Sequence, residues 1–141
     1  MTTQVKPLKP LPTPSKNNEQ FWEGLKQHEF RLQRCKKCGS YRWVPKPACP
    51  KCLSTEFEWT KASGEGTVWT FSIVQRAGPA FQDDVPFVAA VIELKERPLK
   101  CLVVSWVVNC KPEDVRIGMP VKVTFQDMPE ENITQYKFIP A

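Results

Sequence analysis

Histidine is nearly absent from this chain: His28 is the single one in 141 residues. It is the side chain that ordinarily titrates near neutral pH, so its scarcity leaves few routes to general acid–base chemistry. The sequence offers no candidate Ser–His–acid set and no phosphate-cradling glycine loop. Glycine is also sparse, six residues against fourteen prolines, a balance that points to turns, loops and an extended tail. Long apolar runs are missing. The longest, Cys101 to Val108, is far short of the roughly 20 residues a membrane-crossing helix needs. The N-terminus has no apolar signal core, so a cytoplasmic location with no membrane partner is expected. What remains is 41% hydrophobic and 25% charged, a soluble globular composition. The length suits one ordinary domain or two small ones sharing a core. Together these absences favour a binding protein over a self-contained catalyst.

Charge is unevenly placed. Residues 1–61 hold 12 Lys/Arg and 5 Asp/Glu, a net +7, whereas residues 62–141 hold 8 and 10, a net −2. The basic half is expected to seek anions, whether phosphates, nucleic acid or an acidic protein surface.

Four segments follow one another. Residues 1–16 contain four prolines and no hydrophobic period, which predicts an extended, polyproline-like arm, free or laid along a partner. Residues 17–29 predict a short helix with Asn18 as N-cap and Phe21, Trp22, Leu25 and His28 at roughly helical spacing. So short a helix buries little alone, and the Phe21–Trp22 pair is read as a docking surface rather than core. Residues 30–61 carry the cysteines. From residue 62 short strands with turn punctuation take over. Residues 67–75 alternate, with Trp69, Phe71 and Ile73 expected on one face. Residues 87–94 and 100–108 are nearly continuous apolar runs, as in strands buried on both faces or closing a barrel. Val121, Val123 and Phe125 alternate with Lys122 and Thr124, and residues 133–139 make a last strand. One helical turn is expected in 111–118. Three strands, a helical link and two strands is the order of a five-stranded OB-fold barrel, which removes exposed sheet edges. The first barrel loop carries Phe81 and Phe87, which either cap the barrel or contact a ligand or partner. No internal repeat is evident.

The densest signal is chemical. Cys35-Lys36-Lys37-Cys38-Gly39 is followed, with ten residues between Cys38 and Cys49, by Cys49-Pro50-Lys51-Cys52. Two such knuckles supply four thiolates to one tetrahedral ion, and Gly39 follows the first knuckle where positive φ is favoured. Soft ligands in this number select zinc or iron over magnesium or calcium. Zinc is preferred because a closed four-cysteine site needs no redox role. Four thiolates also leave no open coordination position, so the metal is expected to be structural and to contribute folding free energy. Cys101 and Cys110 read as small buried hydrophobes. Lys36, Lys37, Arg42, Lys46 and Lys51 surround the cluster; part of their charge balances it, and the remainder is available to phosphate. Trp43 and Trp59 are expected to pack between ribbon and barrel.

The set of motifs resembles one family. Phe21-Trp22-Glu23-Gly24-Leu25, Leu32-Gln33-Arg34-Cys35, Cys38-Gly39, Pro45, Cys49-Pro50, Cys52 and Glu58-Trp59 carry the N-terminal part of the likeness. Ser63-Gly64, Gly66-Thr67-Val68, Pro86-Phe87-Val88-Ala89 and Ile117-Gly118-Met119-Pro120-Val121 carry the later part. The family is that of zinc-ribbon plus OB-fold proteins associated with acyl-CoA metabolism, long catalogued as a domain of unknown function, and the likeness spans residues 18–141. It implies a rubredoxin-like zinc ribbon joined to an OB barrel, and a non-catalytic accessory subunit of a thiolase-superfamily enzyme acting on β-ketoacyl-CoA, with coenzyme A or acyl-CoA at the partner interface. Lys36, Lys37, Arg42 and Lys46 are then candidates for the coenzyme A phosphates or the partner, and Phe21, Trp22, Phe81 and Phe87 for partner docking. No catalytic residue is carried over. Several relatives have a His near the position of Arg76, and this chain has none there. Three alternatives stand beside this reading: a docking subunit of a steroid side-chain aldolase, a single-stranded nucleic-acid binder using basic grooves and stacking rings, and an iron-bearing redox protein.

Overall fold

The computed structural model describes residues 9–97 and 100–141. Residues 1–8 of the expected arm lie outside the described residues. The remainder of the arm, from Lys9, rests on the chain's own barrel: the Lys9 ammonium is 2.7 Å from Asp84 and 5.7 Å from the centre of the Phe81 ring.

The helix α1 spans Glu19–Lys26, shorter than the segment 17–29. Asn18 does occupy the N-cap, but its carboxamide turns back, and Oδ1 accepts the Ser15 backbone N–H at 2.6 Å. The helix closes by a Schellman pattern: His28 N–H donates to Leu25 C=O at 2.9 Å and Glu29 N–H to Gly24 C=O at 2.8 Å, with His28 at φ 58. Its apolar face, Phe21 and Leu25, is buried.

The ribbon is a small antiparallel sheet of β1 (Arg31–Cys35), β2 (Tyr41–Arg42) and β3 (Phe57–Lys61), with β1 in the centre. The barrel follows: β4 (Glu65–Val74), β5 (Phe87–Leu94), β6 (Leu102–Val107), β7 (Pro120–Met128) and β8 (Ile133–Pro140), closed in the order β4-β5-β6-β8-β7. This is the OB arrangement, in which β6 meets β8 in parallel through the single pair Val107 and Phe138. The link between β6 and β7 holds only a 3-10 turn, Pro112–Asp114.

β5 alternates strictly, with Val88, Ala90, Ile92 and Leu94 inward, so its apolar run belongs to a barrel wall and not to a strand covered on both faces. In β4 the expected face is broken. The pairing register with β5 shifts between Val68 and Thr70. Val68 is buried, Trp69 is turned out to solvent, and Phe71 and Ile73 regain the inner side. A bulge that inserts one residue resets the period of two, which is why Trp69 leaves the stripe. Gly66 has a different constraint: a Cβ there would lie 2.5 Å from the Glu93 carbonyl oxygen of β5, so only glycine allows the strands this close.

Helix, ribbon and barrel share one apolar core, running from Phe21 and Leu25 through Phe30 and Leu32 to Val68, Ile92, Val103 and Phe138. Phe30 is its hinge, with ring centres 5.5 Å from Phe21, 5.0 Å from Tyr136 and 6.4 Å from Phe138. Trp43 reaches Tyr136 edge-on at 6.5 Å, joining ribbon to barrel. A polar link reinforces the junction. The His28 ring stacks on Phe125 at 5.0 Å, and its Nε2 lies 3.0 Å from each Asp127 oxygen. The Thr134 hydroxyl donates to Asp127 at 2.7 Å.

Two predictions follow from this junction. Phe30→Ala should lower stability by about 3–5 kcal/mol in denaturant unfolding, as expected for a buried ring at a site unable to collapse; a loss below about 1 kcal/mol would show the three parts to be independent. The Thr134 hydroxyl, and then the His28 ring, hold the Asp127 carboxyl below its usual range. Such a group stabilises the fold above its unfolded value of about 3.9 and loses that contribution as pH falls through the lower folded value. Asp127→Asn should therefore flatten the acid limb of the stability profile below about pH 5, whereas parallel profiles for both proteins would contradict the assignment.

Candidate metal centre

Each knuckle is built by the same six-residue pattern, Cys35 to Ser40 and Cys49 to Ser54. In the first, Cys35 N–H donates to Ser40 C=O at 2.9 Å and Gly39 N–H to Cys35 C=O at 2.9 Å. In the second, Cys49 N–H donates to Ser54 C=O and Leu53 N–H to Cys49 C=O, both at 2.8 Å. The residue after each second cysteine is left-handed, Gly39 at φ 76 and Leu53 at φ 66. The repeated C-x-x-C-x-S hexapeptide was legible in the sequence as a short internal repeat, contrary to the expectation of none.

The knuckles bring the Sγ atoms of Cys35, Cys38, Cys49 and Cys52 within 4.8 Å of one another. Cys35 and Cys52 sulfurs are 3.5 Å apart, and those of Cys38 and Cys49 3.6 Å, too far for disulfides. Four ligands at a Zn–S distance of ~2.3 Å form a tetrahedron of edge ~3.8 Å, so the cluster fits a tetrahedral Zn2+. Its donors are prepared for the charged state. The Ser40 hydroxyl, 3.5 Å from Cys49 Sγ and 3.0 Å from Cys38 Sγ, leads the effects that bring Cys49 down to about 5, with backbone N–H groups assisting. The Cys38 backbone N–H heads those that lower Cys35. Cys52 receives an N–H from Ser54, yet burial and the other three sulfurs push it up to about 11. Four thiolates so close cannot all ionise unless a cation sits among them. With all four positions taken by sulfur, such an ion has no place for substrate or water.

The basic residues divide. Lys36, Lys37, Lys46 and Lys51 are exposed. Arg42 is not: it is 6% exposed, its Nε donates to Gln33 Oε1 at 2.6 Å, and its guanidinium stacks on Phe57 at 4.9 Å. Gln33 also accepts the Lys46 N–H at 2.8 Å, so Arg42 and Gln33 brace β1, β2 and the chain leading to the second knuckle. A surface phosphate contact by Arg42 is thereby corrected to an internal role, one the partnering register of Gln33 and Arg42 imposes.

The aromatic candidates divide as well. Phe21, at 4% exposure, is core, which corrects its placement on a docking surface; it faces inward because Phe30 and Tyr136 offer it edge contacts. Trp22 is half-buried and lines a groove of about 250 Å³ with Pro12, Val104 and Tyr136. Phe87 stacks on Trp106 at 4.0 Å, and Phe81 meets the same ring at 6.2 Å. Phe81 and Trp106 line an adjoining cavity of about 170 Å³ with Lys9 and Lys137. Sequence reasoning passed over Trp106, the centre of this stack, because it lies within an apolar run. Cys101 is buried, as expected, and burial pushes its thiol up to about 12; Cys110 packs against the core edge.

A small four-cysteine ribbon joined to a closed five-stranded OB barrel defines the class of protein. The chain belongs to the ChsH2 (DUF35) family: residues 22–58 match the profile described as the ChsH2 rubredoxin-like zinc ribbon domain, and residues 59–126 that of the ChsH2 C-terminal OB-fold domain. It is 43% identical over 126 residues to a DUF35 domain-containing scaffold protein of Methanocaldococcus jannaschii, covering 84% of this chain and 87% of that one. It is 37% identical over 119 residues to the 3-oxo-4,17-pregnadiene-20-carboxyl-CoA hydratase alpha subunit of Mycobacterium tuberculosis, covering 84% of this chain and 37% of that longer protein. A solved structure described as the Ltp2-ChsH2(DUF35) aldolase superposes with a TM-score of 0.77 at 32% identity, covering 92% of this chain and 98% of that one.

Cys49→Ser should abolish stoichiometric metal binding and unfold the ribbon, since structural zinc contributes on the order of 10 kcal/mol in small zinc domains. Elemental analysis together with circular dichroism checks this; a metal-free variant with parental thermal unfolding would contradict it.

Proposed function

We propose that this chain is a non-catalytic accessory subunit that binds a thiolase-superfamily enzyme and supports its conversion of β-ketoacyl-CoA. The observation that carries the reading is the pairing of a closed, substrate-inaccessible four-sulfur site with a family whose members are named scaffold protein and alpha subunit. The metal is structural zinc, and the partner supplies the reacting groups. The exposed Lys36, Lys37 and Lys46 face the partner or the phosphates of coenzyme A, where an ammonium group serves as a point charge. Trp22, Phe81 and Phe87, beside the grooves along β6 and β8, extend the contact. The cytoplasm is a compartment in which cysteines persist without disulfides, as all six do here. Among the described residues no helix is long and apolar enough to cross a membrane.

A second reading, an aldolase-type partner acting on a steroid side chain, is favoured by the likeness to the Ltp2-ChsH2(DUF35) aldolase. Substrate profiling of the assembled complex separates the two.

The test is co-expression with the thiolase-superfamily subunits of the same organism. A stable hetero-oligomer should elute from size exclusion, and the enzyme should lose about tenfold or more of its activity without this chain, a transition-state difference of about 1.4 kcal/mol or more. A chain that binds none of them would refute the reading.

A further inference from the structure

The two knuckles agree in their backbone hydrogen bonds and differ at one telling residue. The left-handed position is glycine in the first, Gly39, and leucine in the second, Leu53. A left-handed φ disfavours every side chain with a Cβ. Among the described residues Leu53 joins no apolar cluster that would offset this. It is 78% exposed, the most exposed large hydrophobic residue among those described, and it lies outside the apolar core. The positions between the paired cysteines of the two knuckles hold Lys36, Lys37 and Lys51, all exposed, and the two knuckles meet at their sulfurs. Among the described residues none of these ammonium groups has an ion pair, whereas Lys9, Lys26 and Lys95 each meet a carboxylate. Four thiolates on a divalent ion carry a net charge of −2, so three lysines exceed what the cluster needs.

We infer that Leu53 is a docking knob which, with the exposed Lys36, Lys37 and Lys51 of the same two knuckles, engages an apolar recess rimmed by carboxylates on the enzyme subunit this chain serves. The inference rests on the accessory role proposed above and assigns it a surface. Charge complementarity fixes the rim of the recess, and the apolar tip fixes its floor. Nucleic acid is a poorer fit, because single strands are held by stacking rings and this knuckle face offers an aliphatic tip. Phosphates of coenzyme A account for the lysines but not for the leucine.

The test uses the full zinc-loaded chain and the thiolase-superfamily subunit with which it co-purifies. Leu53→Gly and Leu53→Asn both suit a left-handed φ. Each should keep one metal per chain and an unchanged or higher thermal midpoint, while weakening partner binding by about tenfold or more, as for an anchor at the centre of an interface. Lys36→Glu, Lys37→Glu and Lys51→Glu together should slow association and remove its salt dependence. Parental binding by both Leu53 variants would overturn the assignment and leave the accessory role standing. A lowered thermal midpoint for both would overturn it too, by showing Leu53 to be structural. Salt-sensitive binding of a single-stranded oligonucleotide that the lysine reversals abolish, with enzyme binding retained, would assign the surface to nucleic acid instead. An unmodified chain that binds no such enzyme removes the inference together with the reading beneath it.

Discussion

Mutual repulsion among sulfurs is the constraint from which this structure takes its form. Thiolates at Cys35, Cys38, Cys49 and Cys52, all within 4.8 Å, are tolerable only around a cation. The chain invests backbone N–H groups and the Ser40 hydroxyl in preparing them. Besides the sulfurs, the ribbon is held by its β1–β3 ladder, a two-residue strand, side chains shared with the core and the Gln33–Arg42 brace. For so small a sheet, metal binding and folding are one event. Among the described residues the Arg42 guanidinium nitrogens beyond Nε are buried without hydrogen-bond partners, a cost that stacking on Phe57 offsets only in part.

The metal's influence reaches the barrel through β1. That strand begins beside Phe30 and ends at Cys35, so one short segment carries the aromatic hinge at one end and a metal ligand at the other. Helix α1 is fixed by the same hinge and by the His28 contact with Asp127 on β7. Helix, ribbon and barrel are thereby packed on one apolar core, an arrangement that suits the accessory role proposed above.

Where a feature was set by chemistry or by a strict period, the sequence announced it. The cysteine spacing announced the site, and the order of apolar runs announced the barrel, with β5 falling on residues 87–94 as expected. Where a feature depended on tertiary company, it did not. Trp69 left its stripe because a bulge changed the phase of β4. Arg42 turned inward because Gln33 and Phe57 waited across the sheet. Phe21 joined the core because Phe30 and Tyr136, far apart in sequence, closed over it. The His28–Asp127 contact spans a separation of 99 residues and has no local signature. The left-handed Leu53 was hidden for the opposite reason: only comparison of the two hexapeptides shows that glycine is what the position prefers.

Family membership gives this chain scaffolds and enzyme subunits as relatives, and its own structure offers a closed metal site whose knuckles carry exposed lysines with no ion pair among the described residues. Both follow if the metal shapes a surface and takes no part in chemistry. Elemental analysis of the purified chain, combined with its visible spectrum and exposure to a mild chelator, tests that claim most directly. The account predicts one zinc per chain, no visible absorption, and retention of the metal while the fold persists. A chain that is folded without metal, or one whose metal is coloured by iron or exchanges freely through an open coordination position, would contradict it.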